Sequence, residues 1–432
     1  MHDRRRSGTP VTGTVAQVRS FNRPIQLLLV NQLSINIGFY MLMPYLAGHL
    51  SGTLALAAWA VGLILGARNL SQQGMFLIGG SLADRLGCKP LILAGLGLRV
   101  VGFGLLGFAS SLPMLIVASL LTGLAGALFN PAVRAYLAAE AGDRKTEAFA
   151  VFNVFYQAGI LAGPLVGLAL LGASFRWVCV TAAVLFLILF VLQARALPAR
   201  QTDAAEPRQR LLADWRQMTT NRPFLLFSLA MAGSYVLNFQ VYLALPMRAQ
   251  EQAGGQVGVA VMFAVSGLLT VAGQVRLTAW AKARWSPSEA IVRGLWLMAA
   301  AFLPLAVTAG LGPAAPGWVS AALHLTPVLT STILLTAATM IVYPFEMATI
   351  VNLAGPRLVG TYYGLYNTIA GVGIAAGNLL TGAAIDAGRE SGLDALTWIA
   401  LTAIGAACAV AVAMLARSGG LARTRAPARA GS

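Results

Sequence analysis

Gly80-Ser81-Leu82-Ala83-Asp84-Arg85-Leu86-Gly87-Cys88-Lys89-Pro90 is a short charged hairpin set between two long apolar runs. It brings an Asp, an Arg and a Lys into one turn-forming segment at the edge of hydrocarbon, and nothing in it is arranged for catalysis. Charge at such a place is costly unless it snorkels, pairs or meets a helix end. The segment therefore reads as a joint between helices that move.

The runs on either side of the hairpin are long enough to cross a bilayer, and so are ten others. At about 20 mostly apolar residues per span, the spans fall at roughly 25–47, 56–79, 91–110, 113–134, 149–172, 176–196, 223–246, 257–281, 289–310, 320–345, 360–384 and 395–416. The tenth contains His324, Pro327 and Pro344, which predicts a kink or an early end. Composition agrees: 58% of the 432 residues are hydrophobic and only 10% charged, against about 25% charged in soluble domains. The 46 glycines suit closely packed membrane helices.

The net charge of +16 comes from residues scattered over loops, not from one stripe, so it argues for topology and against nucleic-acid binding. With the N-terminus in the cytoplasm, the interior loops hold most of the basic residues, from Arg4 through Arg85, Lys89 and Arg144 to Arg429. The exterior loops hold only Arg176, Arg248 and Arg389. Both termini are then cytoplasmic. The cysteines, Cys88, Cys179 and Cys408, are far apart and show no metal-ligand spacing, so no metal is expected.

Residues 197–222, with two prolines and several arginines, read as a cytoplasmic linker. They divide an N-terminal tail (1–24) and six-helix bundle (25–196) from a second bundle (223–416) and tail (417–432). An internal repeat supports the division. Phe152-Asn153 through Gly159, Gly163, Pro164 and Leu165 matches Tyr366-Asn367 through Gly373, Gly377, Asn378 and Leu379, while Asn130-Pro131 corresponds to Tyr343-Pro344. The hairpin has a weak counterpart at Lys282-Ala283-Arg284-Trp285-Ser286-Pro287, which keeps the basic residue and lacks the aspartate.

Two halves of six spans resemble the major facilitator superfamily. Gly80, Asp84, Arg85, Gly87 and Lys89 match its motif A between spans two and three, with Cys88 in place of a usual basic residue. Gly159-Ile160-Leu161-Ala162-Gly163-Pro164-Leu165-Val166-Gly167 resembles motif C of its drug–proton antiporters, with Val151 where the full signature has glycine. Glycines four apart line one helical face and admit a close neighbour, and Pro164 bends the helix. Arg68-Asn69-Leu70-Ser71-Gln72-Gln73-Gly74, the hairpin, Arg99 and Asn130-Pro131 most resemble the MdtH-like branch of multidrug efflux transporters.

The resemblance implies an all-α integral membrane protein of twelve transmembrane helices in two pseudo-symmetric six-helix bundles. It also implies residence in the bacterial cytoplasmic membrane and export of drug-like small molecules in exchange for protons. Such a carrier is not an enzyme. It needs no cofactor beyond the proton gradient, and its partners are substrate, protons and lipid, with a monomer as the working unit. Pseudo-symmetry sets Asp84 against the N-terminus of span eleven, where it would favour the outward-facing state.

Intramembrane ionisable residues are functional candidates. The basic ones are Arg68, Arg99, Arg134 and Arg276. Among the acids only Asp84 and Glu346 lie at or near a span, so Glu346, then Asp84 and His324, are the candidates for carrying the proton. Where many drug exporters of this superfamily carry an acid in the first span, Gln32, Asn36 and Tyr40 stand instead. These three, with Asn153, Tyr156, Gln157, Tyr235, Asn238, Gln240, Tyr343 and Asn367, are the candidates for the substrate cavity. A cavity with more basic than acidic groups predicts neutral, zwitterionic or anionic substrates over dications. The competing readings are an uptake or symport carrier of the same fold and a non-transporting membrane sensor.

Overall fold

The structure is a computed structural model that describes residues 18–198, 218–253, 255–310, 317–354, 359–419 and 421. Most of the two tails and most of the 197–222 linker lie outside the described residues. Every described element is helical. Twelve spans follow in order: α1 (Arg23–Thr53), α2 (Ala58–Gly74, continued by Phe76–Leu86), α3 (Cys88–Phe108), α4 (Leu112–Ala141), α5 (Lys145–Leu171), α6 (Phe175–Ala196), α7 (Arg222–Gln252), α8 (Gln256–Arg284), α9 (Pro287–Val307), α10 (Trp318–Ala354), α11 (Val359–Ser391) and α12 (Leu396–Arg417). Eleven helices among the described residues are long and apolar enough to span a membrane singly. The twelfth, α2, is divided at Met75 (φ −96°, ψ 1°) into segments of 17 and 11 residues.

Several helices outrun the apolar stretches that predict them. α4 reaches Ala141, α10 reaches Ala354 and α11 reaches Ser391. Polar ends can continue a helix once they leave hydrocarbon, and hydropathy alone does not register them. The tenth span does not end early: it runs 37 residues through both Pro327 and Pro344. Pro344 removes the N–H that would meet the Met340 carbonyl. Gln274 Nε2 (3.0 Å) and Thr278 Oγ1 (3.2 Å) of α8 donate to that carbonyl instead, so a neighbouring helix repairs the ladder.

The two halves pack alike. In the first, α1 lies on α5 and α6, α2 on α4, and α3 on α4 and α6. In the second, α7 lies on α11 and α12, α8 on α10, and α9 on α10 and α12. Each contact recurs six spans later. Val184, Leu187 and Ile188 of α6 and Ile399, Val410 and Met414 of α12 are exposed, as an apolar belt against lipid requires.

The halves meet along α2 and α11, with a lesser seam between α5 and α8. Close approach needs glycine on both sides of the main seam. A Cβ at Gly66 would stand 2.9 Å from the Ala375 carbonyl oxygen, Gly62 lies under the Asn378 carbonyl, and Gly382 lies under that of Ala58. The even number of antiparallel spans puts the start of α1 and the end of α12 on one face of the molecule, called here the terminal face. On the opposite face the halves are joined twice. Met43–Gly48 of α1 packs on α7 and α8, and the Asp386 carboxylate of α11 accepts from the backbone N–H groups of Ala58 (2.9 Å) and Trp59 (2.8 Å) at the start of α2. This corrects the reading that only Asp84 and Glu346 are acids at a span: α11 continues past residue 384 and carries Asp386 and Glu390, and Glu140, Glu147, Glu251 and Glu289 lie near the ends of α4, α5, α7 and α9.

Candidate functional site

A cavity of about 380 Å³ lies between the halves, within the range of small-molecule sites. Its walls are Tyr40 of α1, Tyr156, Gln157, Ile160 and Leu161 of α5, Asn238, Val241 and Tyr242 of α7, Phe263, Ser266, Gly267, Thr270 and Val271 of α8, and Leu335, Thr336, Thr339 and Tyr343 of α10. The lining is apolar and aromatic with hydroxyl and amide groups set among it. Tyr40, Tyr156, Gln157, Asn238 and Tyr343 of the sequence-based set stand in these walls. Tyr242 and the α8 and α10 hydroxyls are additional, and no motif in the sequence marks them.

Two charged clusters flank the cavity. In the first half, Arg68 of α2 and Arg99 of α3 are buried, at 7% and 4% exposure. Arg68 donates to Asn69 Oδ1 (2.8 Å) and Gln72 Oε1 (2.6 Å) and lies 4.6 Å above the Phe39 ring. Arg99 lies between the rings of Phe129 (5.5 Å) and Phe186 (5.6 Å). Both guanidinium groups border a small pocket of about 70 Å³, which Tyr40 and Tyr156 share with the main cavity.

In the second half, Glu346 of α10 is fully buried. Its Oε1 accepts from the Tyr235 hydroxyl of α7 at 2.9 Å, and its Oε2 has no partner within hydrogen-bond geometry. Tyr343 and Tyr363 are its electrostatic neighbours, and the Tyr366 hydroxyl stands beside the carboxyl as a further hydrogen-bonding group. The Tyr235 ring stacks with Tyr343 at 5.5 Å between centroids and meets Tyr366 edge-on at 5.8 Å. Tyr343 in turn faces the cavity. One aromatic layer therefore separates the carboxyl from the space between the halves.

The remaining candidates are dispersed. Gln32 donates to Asn36 Oδ1 (3.0 Å), and Asn36 donates to the Tyr156 carbonyl (2.7 Å), tying α1 to α5. Gln240 donates to its own helix at the Val236 carbonyl (2.8 Å), and Asn367 to the Tyr363 carbonyl (2.7 Å). Asn153, Arg134 and Arg276 are exposed. His324 Nδ1 lies 2.9 Å from the Ser320 carbonyl of its own helix, near the opposite face and away from the cavity walls.

The glycine face of α5 packs on α1. A Cβ at Gly159 would meet Asn36 Cβ at 2.5 Å, one at Gly163 would meet Tyr40 Cβ at 2.6 Å, and Gly167 lies under the Met41 carbonyl. The Tyr45 hydroxyl donates to the Pro164 carbonyl at 2.6 Å across the same seam. At the charged hairpin, Gly87 adopts φ 84° and makes the turn from α2 to α3, a conformation other residues rarely take. The side chains of Asp84 and Arg85 and the surroundings of Gly80 lie outside the described residues. The helix that carries them, Phe76–Leu86, packs on α11.

The family description "Major Facilitator Superfamily" matches residues 28–378. An uncharacterized MFS-type transporter of Mycobacterium tuberculosis is 51% identical over 407 residues, covering 94% of this chain and 95% of that protein. Multidrug resistance protein MdtH of Shigella dysenteriae is 28% identical over 396 residues, covering 90% of this chain and 93% of that one. Among solved structures, a peptide transporter POT in complex with sulfate superposes with a TM-score of 0.77 at 15% identity, covering 95% of this chain and 99% of that one. A mutant of the nucleoside transporter NupG superposes at 0.73 and 15% identity, covering 91% and 100%. The match over most of the chain joins the repeated six-helix halves and the cavity between them in one conclusion: the chain belongs to the major facilitator superfamily, and its role is transport across a membrane.

Proposed function

We propose that the protein exports amphiphilic, drug-like small molecules across the bacterial cytoplasmic membrane in exchange for protons, by alternating access. The observation that carries this reading is Glu346. A fully buried carboxyl, held on one oxygen by Tyr235 and neighboured by the Tyr366 hydroxyl, stands one tyrosine layer from the cavity. Such a group is equipped to take a proton and return it as the halves rock. The small-residue seam of α5 against α1 and the relatedness to multidrug resistance protein MdtH support efflux over uptake. With the basic loops placed in the cytoplasm, the terminal face is cytoplasmic, and the two joints at the opposite face are contacts that opening toward the exterior would break.

Reconstituted proteoliposomes test the reading. An imposed pH gradient should drive movement of the neutral dye N-phenyl-1-naphthylamine by the native protein. Glu346→Gln should abolish the pH-driven component while leaving dye exchange at equal pH. Unchanged pH-driven movement in that variant removes Glu346 as the proton carrier. Net accumulation of dye in cells overproducing the protein reverses the direction and favours an uptake carrier.

A further inference from the structure

We infer that Arg68 and Arg99 form a subsite for an anionic head group of the transported molecule, a carboxylate or sulfonate on an apolar body. The inference rests on the reading of the central cavity as the place where substrate binds. Both arginines keep their charge at any physiological pH. Both are buried, and among the described residues neither forms an ion pair. Two like charges, near enough to repel one another, are costly inside a membrane protein without a counter-charge. The Nε atom of each is buried without a partner, and Arg99 makes no hydrogen bond among the described residues, resting only on aromatic faces.

The donors converge on a space. The pocket of about 70 Å³ is bordered by Arg68, Arg99, Gln72 and Asn130. Gln72 gives its carbonyl oxygen to Arg68, which leaves its amide N–H groups as further donors. The volume suits a small oxyanion such as a carboxylate or sulfonate. Tyr40 and Tyr156 line this pocket and the main cavity alike, so a head group on the arginines leaves its apolar body among the aromatics and aliphatics of α5, α7 and α8. Planar forked guanidinium groups suit oxyanions.

The test uses the full chain in lipid nanodiscs and two probes of similar body. 1-Anilinonaphthalene-8-sulfonate carries the anion and N-phenyl-1-naphthylamine does not; empty nanodiscs correct for partition into lipid. The expected result is saturable binding of the sulfonate to the native protein. Its affinity relative to the neutral probe should fall about ten- to a hundred-fold in Arg99→Gln and in Arg68→Gln, the range for losing a charge-assisted hydrogen bond. Arg99→Lys should recover part of it. Asn130→Asp keeps both arginines and supplies a counter-charge beside them; it should lower the same ratio in a protein that elutes as a single species.

Equal loss of both probes in all variants, an unchanged ratio, or no saturable sulfonate binding overturns the subsite. Proton-driven movement of the neutral probe, measured in parallel, separates the two readings. Movement without an arginine-dependent preference overturns the subsite alone. An arginine-dependent preference without movement supports the subsite and overturns proton-driven export.

Discussion

Asp386→Ala should shift the protein away from the conformation described here. The carboxylate lies at the end of α11 in one half and accepts two backbone N–H groups at the start of α2 in the other. These are donors that a helix leaves unsatisfied at its N-terminus, and the positive end of the helix dipole adds to the attraction. Replacing an N-capping carboxylate with alanine costs about 0.5–2 kcal/mol, and a charge at a helix end contributes about 0.3–1 kcal/mol more. The contact exists only while the halves touch at the opposite face, so the loss falls on one state alone. A total of about 2 kcal/mol changes the ratio of the two states about thirty-fold.

Pulsed electron–electron spin resonance reads that ratio. Labels at Ala173 in the first half and Leu393 in the second sit on the opposite face and are exposed. In the native protein the short distance should dominate, and Asp386→Ala should raise the long-distance fraction. Asp386→Asn, which keeps one acceptor and loses the charge, should fall between. An unchanged distance distribution in a folded Asp386→Ala protein would refute the idea that this cap holds the halves together.

Gly163→Val should lower the melting temperature in detergent, because its Cβ would meet Tyr40 Cβ at 2.6 Å and the Tyr40 carbonyl carbon at 2.9 Å; overpacking of this kind costs about 1–3 kcal/mol. Gly104→Ala, with nothing within 4 Å of the added carbon, is the control and should melt near the native value. Tyr235→Phe removes the donor to Glu346 Oε1, and at about 1.5–3 kcal/mol for a hydrogen bond to a charged group it should slow proton-driven export about tenfold or more and displace its pH profile; an unmoved profile excludes Tyr235 from the proton site. In proteoliposomes clamped with potassium and valinomycin, export of 1-anilinonaphthalene-8-sulfonate should depend on membrane potential more steeply than export of N-phenyl-1-naphthylamine, and equal slopes would contradict an anionic cargo.

Much of the architecture was legible in the chain because it is written in local terms. Apolar run length marks the spans, arginine placement marks the loops, and the match of 152–165 with 366–379 marks two helices, α5 and α11, that take equivalent places in their halves. The site was legible only where a residue type is anomalous by itself. Arg68, Arg99 and Glu346 stand out as charges in hydrocarbon, but their positions do not reveal that the first two share one pocket, or that Tyr235 from a helix 111 residues away holds the third. Tyr242 is an ordinary aromatic in an apolar run and becomes a cavity wall only through the packing of α7. Asp386 escaped notice for a different reason. It lies past the last strongly apolar turn of α11, where a carboxylate costs little, and its partners are backbone groups, which carry no sequence signature.

The position of Asp386 gives the charged hairpin a counterpart. Asp84 was expected to meet the start of α11 at the terminal face; Asp386, on α11, meets the start of α2 at the opposite face. Two carboxylates that each cap the other half's helix would oppose one another, since closing one face opens the other. The chemistry of the halves is less symmetric than their packing. Among the described residues one half buries two cations and the other one carboxyl, on either side of the same cavity. A proton on Glu346 and an anion on the arginines would therefore attract, which by itself favours carrying both together. Exchange requires the reverse, so exclusion of one by the other has to come from the conformational change and not from Coulomb coupling within the cavity. The driving force then favours export strongly. Moving a proton in and a monoanion out transfers two charges, about 4.6 kcal/mol per 100 mV against about 2.3 for a neutral cargo. The same two clusters that make local coupling unfavourable for exchange make the membrane potential its ally.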